Sequence, residues 1–201
     1  MKTTNKLLTL IIIFSSLFSL QSQNKFSKRK IENLKEEVSQ LVEDDKKMTQ
    51  VMIDKVFSFG ELGFQEFETS KYLGKILEEN GFDVEYQISD IPTSWLATWS
   101  NGEGGPTIAL GSDFDGVPST SQYPGVAYEK PVVEGAPGHG EGHNIGLPIV
   151  ITSAIAIKKI MIENNINGKL VLWPGVAEEI LGAKAWYVRD GYFDNVDMLS
   201  L

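Results

Sequence analysis

Cysteine is absent from the 201 residues, so no disulfide can staple the fold and no thiolate can act as metal ligand or nucleophile. Histidine is nearly absent: the chain has 2, His139 and His143. Any chemical site must therefore be built chiefly from carboxylates. Positive charge is also in short supply, with 18 Lys and Arg against 27 Asp and Glu and a formal net charge of -9. Neutralising a phosphate backbone needs Lys and Arg clustered on one face, so no nucleic-acid partner is expected. Internal repeats and low-complexity tracts are missing too. What remains is ordinary globular material: 42% hydrophobic and 22% charged residues suffice for a packed core. The length suits one medium domain and leaves little room for a second.

The N-terminus has the layout of a secretory signal peptide. Lys2 and Lys6 precede the apolar run Leu7 to Leu20, and small and polar residues follow. The run is short for a bilayer span, which takes about twenty residues. Residues 1–22 are thus expected to be removed and residues 23–201 to form the mature, secreted or periplasmic protein, with no stable membrane association after cleavage. The competing reading is an uncleaved anchor.

Apolar residues at Ile31, Leu34, Val38 and Leu41, then at Met48, Met52, Val56 and Phe57, recur at the three- and four-residue spacing of amphipathic helices. A further helix is expected from about Phe67 to Asn80, with Gly81 as its stop. Strands are expected over 83–89, 95–100 and 107–113, with a turn at NGEGGP. An apolar helix over 149–162 leads to the strand KLVLWPGV, and a last helix starts near Gly182. Helices flanking a strand core predict an α/β fold with a central mixed, largely parallel sheet.

Three segments put acids and histidines just after apolar strands, where open α/β sheets build their sites. In SDFDGVP, Asp113 and Asp115 at i and i+2 share one side of an extended chain; the plainer reading is a pair of loop acids. In GHGEGHN, an extended backbone would project His139, Glu141 and His143 to one side as a metal half-site. A flexible glycine loop with incidental histidines is the alternative. The segment is neither the helical H-E-x-x-H zinc motif nor a phosphate-binding loop, since no Lys follows it. In GVAEE, Glu178 and Glu179 can divide the work of metal-assisted hydrolysis, one binding the cation and one taking a proton from water. Two acids at a helix N-terminus are the unreactive alternative.

Taken in order, FSFGELGFQEFETSKYL, SDFDGVP, GHGEGHN and GVAEE followed by GYFDNVD resemble the metallo-aminopeptidase-like family of zinc-dependent amidohydrolases and peptidases, and within it the aminobenzoyl-glutamate-utilisation B type. The resemblance runs from about Val51 to the end. It implies a phosphorylase/hydrolase-like catalytic domain, interrupted in relatives by a lid domain that promotes dimerisation. It also implies roles: Asp115 supports the catalytic centre, Glu178 is the general base, and Glu141, His143 and Glu179 are metal ligands. Asp113 stands where many relatives have a metal-binding His, and Glu141 where the amidohydrolase branch commonly has a cysteine. His139 is expected to be second to the ligands or to face substrate. Relatives continue past the position of Leu201 with a ligand histidine, the lid and a closing segment, whereas no histidine follows His143 here. The chain is accordingly expected to be C-terminally truncated.

The implied activity is metal-dependent hydrolysis of an amide bond in an N-acyl amino acid, an aminobenzoyl-glutamate-like compound or a small peptide. Its cofactor would be Zn²⁺ or Mn²⁺, one or two ions per site in a full-length form, with a homodimer expected only for that form. A non-catalytic remnant and a secreted peptide-binding module are the competing readings.

Overall fold

The computed structural model describes residues 26–201, so the predicted signal segment 1–22 lies outside the described residues. The chain divides into two compact units, 1–37 and 38–201. Helix α1 (Lys28–Asp44) begins in the first and ends in the second; it opens on Ser27, whose hydroxyl accepts the Lys30 amide at 3.2 Å.

The second unit carries α2 (Lys46–Phe59), α3 (Phe67–Glu79), β1 (Asp83–Tyr86), β2 (Trp95–Asn101), β3 (Thr107–Asp113), α4 (His143–Glu163), β4 (Gly168–Gly175), α5 (Lys184–Arg189) and β5 (Met198–Ser200). The strands form one mixed sheet in the order β1-β2-β4-β3-β5. β1 pairs antiparallel with β2, and β2 with β4, whereas β4 and β5 flank β3 in parallel. The α/β architecture with a mixed sheet flanked by helices is the one expected.

The centre of the sheet is buried on both faces because its strands are apolar in both alternating sets. Leu170, Leu172 and Trp173 on β4 and Ala109 on β3 are all buried. Ser112 lies under α4 at Gly146, while Gly111 leaves room on the opposite face for the Trp173 indole. That indole packs against Tyr187 of α5 and Phe193, with ring centroids 6.2 and 5.1 Å away. Helix α4 is apolar nearly all round because it covers β3 and β4 on one side and meets α2 on another. A hydroxyl pair, Thr49 with Thr152 at 2.8 Å, joins α2 to α4.

Three boundaries differ from expectation. The first strand stops at Tyr86 instead of running to Ser89, because Gln87, Ser89 and Asp90 all take positive φ. Helix α4 begins at His143, six residues before the expected start at Ile149, since Gly142 at φ 94° turns the chain directly into the first helical turn. The last helix starts at Lys184 and not at Gly182.

Replacing Leu172 by alanine removes a fully buried side chain from the central strand and should cost about 2–5 kcal/mol. Lys75→Ala, which breaks only the exposed 3.5 Å pair with Glu79, should stay within about 0.5 kcal/mol. Urea midpoints of the two variants check the contrast.

Candidate metal centre

The parallel pairing of β3 with β4 aligns Asp113 with Gly175, so the segments leaving both strands emerge at the same end of the sheet. The first supplies Asp113 and Asp115, and the second Glu178 and Glu179. The start of α4 brings in His143. One donor atom from each of Glu141, His143, Glu178 and Glu179 lies within 4.8 Å of every other.

His143 is the hub. Its Nδ1 is 3.1 Å from the Asp115 carbonyl oxygen and 3.3 Å from that residue's carboxylate. Its Nε2 is 3.6 Å from Glu141 and 4.0 Å from Glu178, and Glu179 lies 3.7 Å from Nδ1. The imidazole is held at a pKa of about 9, first by hydrogen bonding to the Asp115 carboxylate and then by the charges of Asp115 and Asp113, against the opposing effect of burial. The Glu179 carboxyl is pushed up by desolvation and by the neighbouring Glu141 charge. Asp115 is 1% exposed, and its Oδ2 accepts the backbone amide of Glu179 at 3.1 Å. Asp115 thus orients a histidine with one set of atoms and a glutamate backbone with another.

The turn bearing the two glutamates is strained. Ala177, Leu181 and Ala183 all have φ between 53° and 60°, a region that costs a non-glycine residue free energy and is concentrated at functional sites. A short 3₁₀ turn, Glu178–Ile180, lies inside this frame. It is closed by the Gly182 amide donating to the Ala177 carbonyl at 2.8 Å.

Glu141, His143, Glu178 and Glu179 lie together, but GHGEGH is not the extended segment inferred from alternating glycines. Gly142 turns, His143 becomes helical, and His139 is not one of the four, although it lies close enough to Asp115 and His143 to feel their charge. The His139 ring lies 3.1 Å from the Val56 carbonyl oxygen and packs beside Phe57. Burial lowers its pKa. Asp113 does not join the four either: Lys184 pairs with it at 2.8 Å. Lys184 went unnoticed in the sequence because the contact spans 71 positions and no local spacing signals it.

The donor set fits a divalent cation. Three carboxylates and an imidazole are all competent ligands for Zn²⁺ or Mn²⁺. Moreover, Glu179 Oε1 is buried without a hydrogen-bond partner, which is costly unless a charge is close by. In the neutral imidazole an Nδ1–H donated to the Asp115 carbonyl would leave the Nε2 lone pair for a cation, which must displace the proton that the surrounding acids hold on the ring.

No protein-family model matches the sequence. The chain is 32% identical over 160 residues to a p-aminobenzoyl-glutamate hydrolase polypeptide of Escherichia coli (strain K12), covering 80% of this chain and 33% of that protein. It is 32% identical over 139 residues to a hippurate hydrolase of Campylobacter jejuni, covering 68% and 33% of the two. Among solved structures, a dinuclear metal-binding M20 peptidase of Bacillus subtilis superposes with a TM-score of 0.63 at 23% identity, over 77% of this chain and 42% of that one. The chain spans about a third of the length of the curated relatives it matches.

Truncating Lys184 to methionine keeps the stem but leaves Asp113 without its counter-charge. The variant should lose roughly 1.5 kcal/mol of unfolding free energy, the low end for a hydrogen bond to a charged group because the lysine is partly exposed; denaturant titration reads it directly. Over the portion that it shares with these relatives, the chain is similar in sequence to amidohydrolases and in fold to an M20 peptidase.

Proposed function

We propose that this chain carries the metal-binding and proton-transfer half of an amide-bond hydrolase acting on an N-acyl amino acid, an aminobenzoyl-glutamate-like compound or a small peptide. The observation that carries the reading is the convergence of Glu141, His143, Glu178 and Glu179 within 4.8 Å. The two named relatives, an aminobenzoyl-glutamate hydrolase and a hippurate hydrolase, support the substrate class.

Glu141, His143 and Glu179 would hold the cation, with Asp115 fixing the histidine ring. A divalent cation there would polarise an amide carbonyl and lower the pKa of water to about 7. Glu178 is the general base. It lies 4.0 Å from His143 Nε2, and its side chain is 34% exposed, so water and substrate can reach it. Its carboxylate takes a proton from the attacking water as the oxygen bonds to the amide carbon. It then returns that proton to the nitrogen as the carbon–nitrogen bond breaks, giving a carboxylic acid and an amine. With two carboxylates, an imidazole and no thiolate, the donors suit Mn²⁺ as well as Zn²⁺. Export directed by residues 1–22, a secreted or periplasmic location and a dimer of the full-length form belong to the same proposal.

Two outcomes follow. Adding Zn²⁺ or Mn²⁺ to metal-free protein should raise its thermal midpoint, with about 2.7 kcal/mol of stabilisation at a hundredfold excess over Kd. Saturable peptide binding indifferent to chelator, with no such rise, would favour the binding-module reading. In a form extended to the relatives' full length, Glu178→Gln should lower kcat by about 10²–10⁴-fold while leaving cation affinity unchanged in calorimetry. Retained turnover would remove Glu178 from its role.

A further inference from the structure

The segment Glu61-Leu62-Gly63-Phe64-Gln65-Glu66 contributes no ligand, yet it touches both strand ends that do. The Glu61 carbonyl accepts the Gly116 amide at 2.6 Å, just beyond Asp115, and Leu62 forms a parallel bridge with Gly116. At its other end, Glu66 Oε1 accepts the Ala177 amide at 2.9 Å and Oε2 accepts the Thr93 hydroxyl at 2.8 Å. Glu66 is fully buried at 0% exposure, a costly place for a carboxylate, and desolvation pushes its carboxyl pKa up.

Helix capping does not account for it. Glu66 occupies the N-cap position of α3 without making a side-chain cap. That work falls to Glu61, whose two carboxylate oxygens accept the Glu68 and Thr69 amides at 2.9 Å each. Glu66 instead reaches across 111 positions to the residue that opens the Glu178–Glu179 turn. The turn is pressed from the same side: a Cβ on Gly63 would lie 2.9 Å from Ala177 Cα and 3.3 Å from Asp115 Oδ2.

We propose that Glu66 is a positioning residue, whose buried carboxylate locks the left-handed Ala177 and thereby fixes the direction in which Glu178 and Glu179 enter the metal centre. Ala177 at φ 53° sits in a region it would leave if released, and the Glu66 acceptor opposes that release. The carboxylate acts through the backbone and does not touch substrate. The inference takes the proposed cation site as its setting, although the lock itself is testable without metal.

Three variants separate this role from simple core packing. Glu66→Gln keeps an acceptor for Ala177, Glu66→Met keeps length but offers none, and Gly63→Ala wedges against Ala177 with Glu66 intact. Amide hydrogen exchange on metal-free protein gives the first readout. In the Met variant, exchange at residues 177–182 should accelerate at least about tenfold while the α4 and β4 cores keep their protection. Titration with Zn²⁺ or Mn²⁺ alone gives the second: the Met variant should bind about 10–100-fold more weakly, and the Gln variant close to the parent. Unchanged exchange at 177–182 in the Met variant, or uniform acceleration throughout the fold, overturns the inference. So does a Gln variant as impaired as the Met variant. Should the Met variant fail to fold, Gly63→Ala decides, since it must show the same local acceleration. A parent protein that binds neither cation removes the metal reading, while the exchange result still decides the role of Glu66.

Discussion

Five carboxylates converge on one end of this sheet, and the arrangement of everything around them follows from the need to keep them there. Asp113, Asp115, Glu141, Glu178 and Glu179 are balanced by one imidazole and one ammonium. Like charges so close raise one another's pKa or push one another apart. The fold resists separation with backbone, which cannot move away cheaply. The parallel β3–β4 ladder fixes the two strand ends, and the Glu179 amide gives Asp115 a hydrogen bond that does not depend on a mobile side chain. Lys184 takes Asp113 out of the group, leaving four donors with a net excess of negative charge. A divalent cation is the chemical species that such a surplus selects.

Much of the fold was legible because its signals are local. The three- and four-residue spacing marked α1 and α2, and β3 occupies the span 107–113 that its apolar run predicts. The sheet's mixed character followed from helices interleaved with strands. Its misread boundaries share one cause: residues with positive φ, at Gln87, Ser89, Asp90, Gly142 and Ala183. Of these, Gly142 alone has the residue type that announces such a conformation. Alanine and glutamine take it here because tertiary contacts leave them no alternative, and tertiary contacts leave no mark in a window of neighbouring residues.

The site divides along the same line. Glu141, His143, Glu178 and Glu179 were visible because scarcity made them conspicuous: with 2 histidines and no cysteine in the chain, few places could bind a metal. The geometry joining them was not visible. Alternating glycines suggested an extended segment with His139 pointing the same way as His143, whereas a helix start at His143 divides the two histidines between a core contact and the cluster. Lys184 and Glu66, which hold the acids in place, carry no local signature, because their partners lie 71 and 111 positions away.

Strain gives the last link between fold and chemistry. A turn with three non-glycine residues at positive φ is a high-energy conformation that an unconstrained chain would abandon, so its persistence measures how tightly the surroundings grip it. The grip comes from elements with no ligand of their own: Glu66 on the Ala177 amide, Gly63 and Gly182 packed against the Ala177 side chain, and Asp115 on the Glu179 amide. None of these contacts runs through a cation, so the carboxylates need none in order to be oriented. Preorganised charge loses less free energy to rearrangement on binding than charge that must first be gathered. The mutual repulsion of the acids is therefore met by folding, and a bound divalent cation would relieve it further.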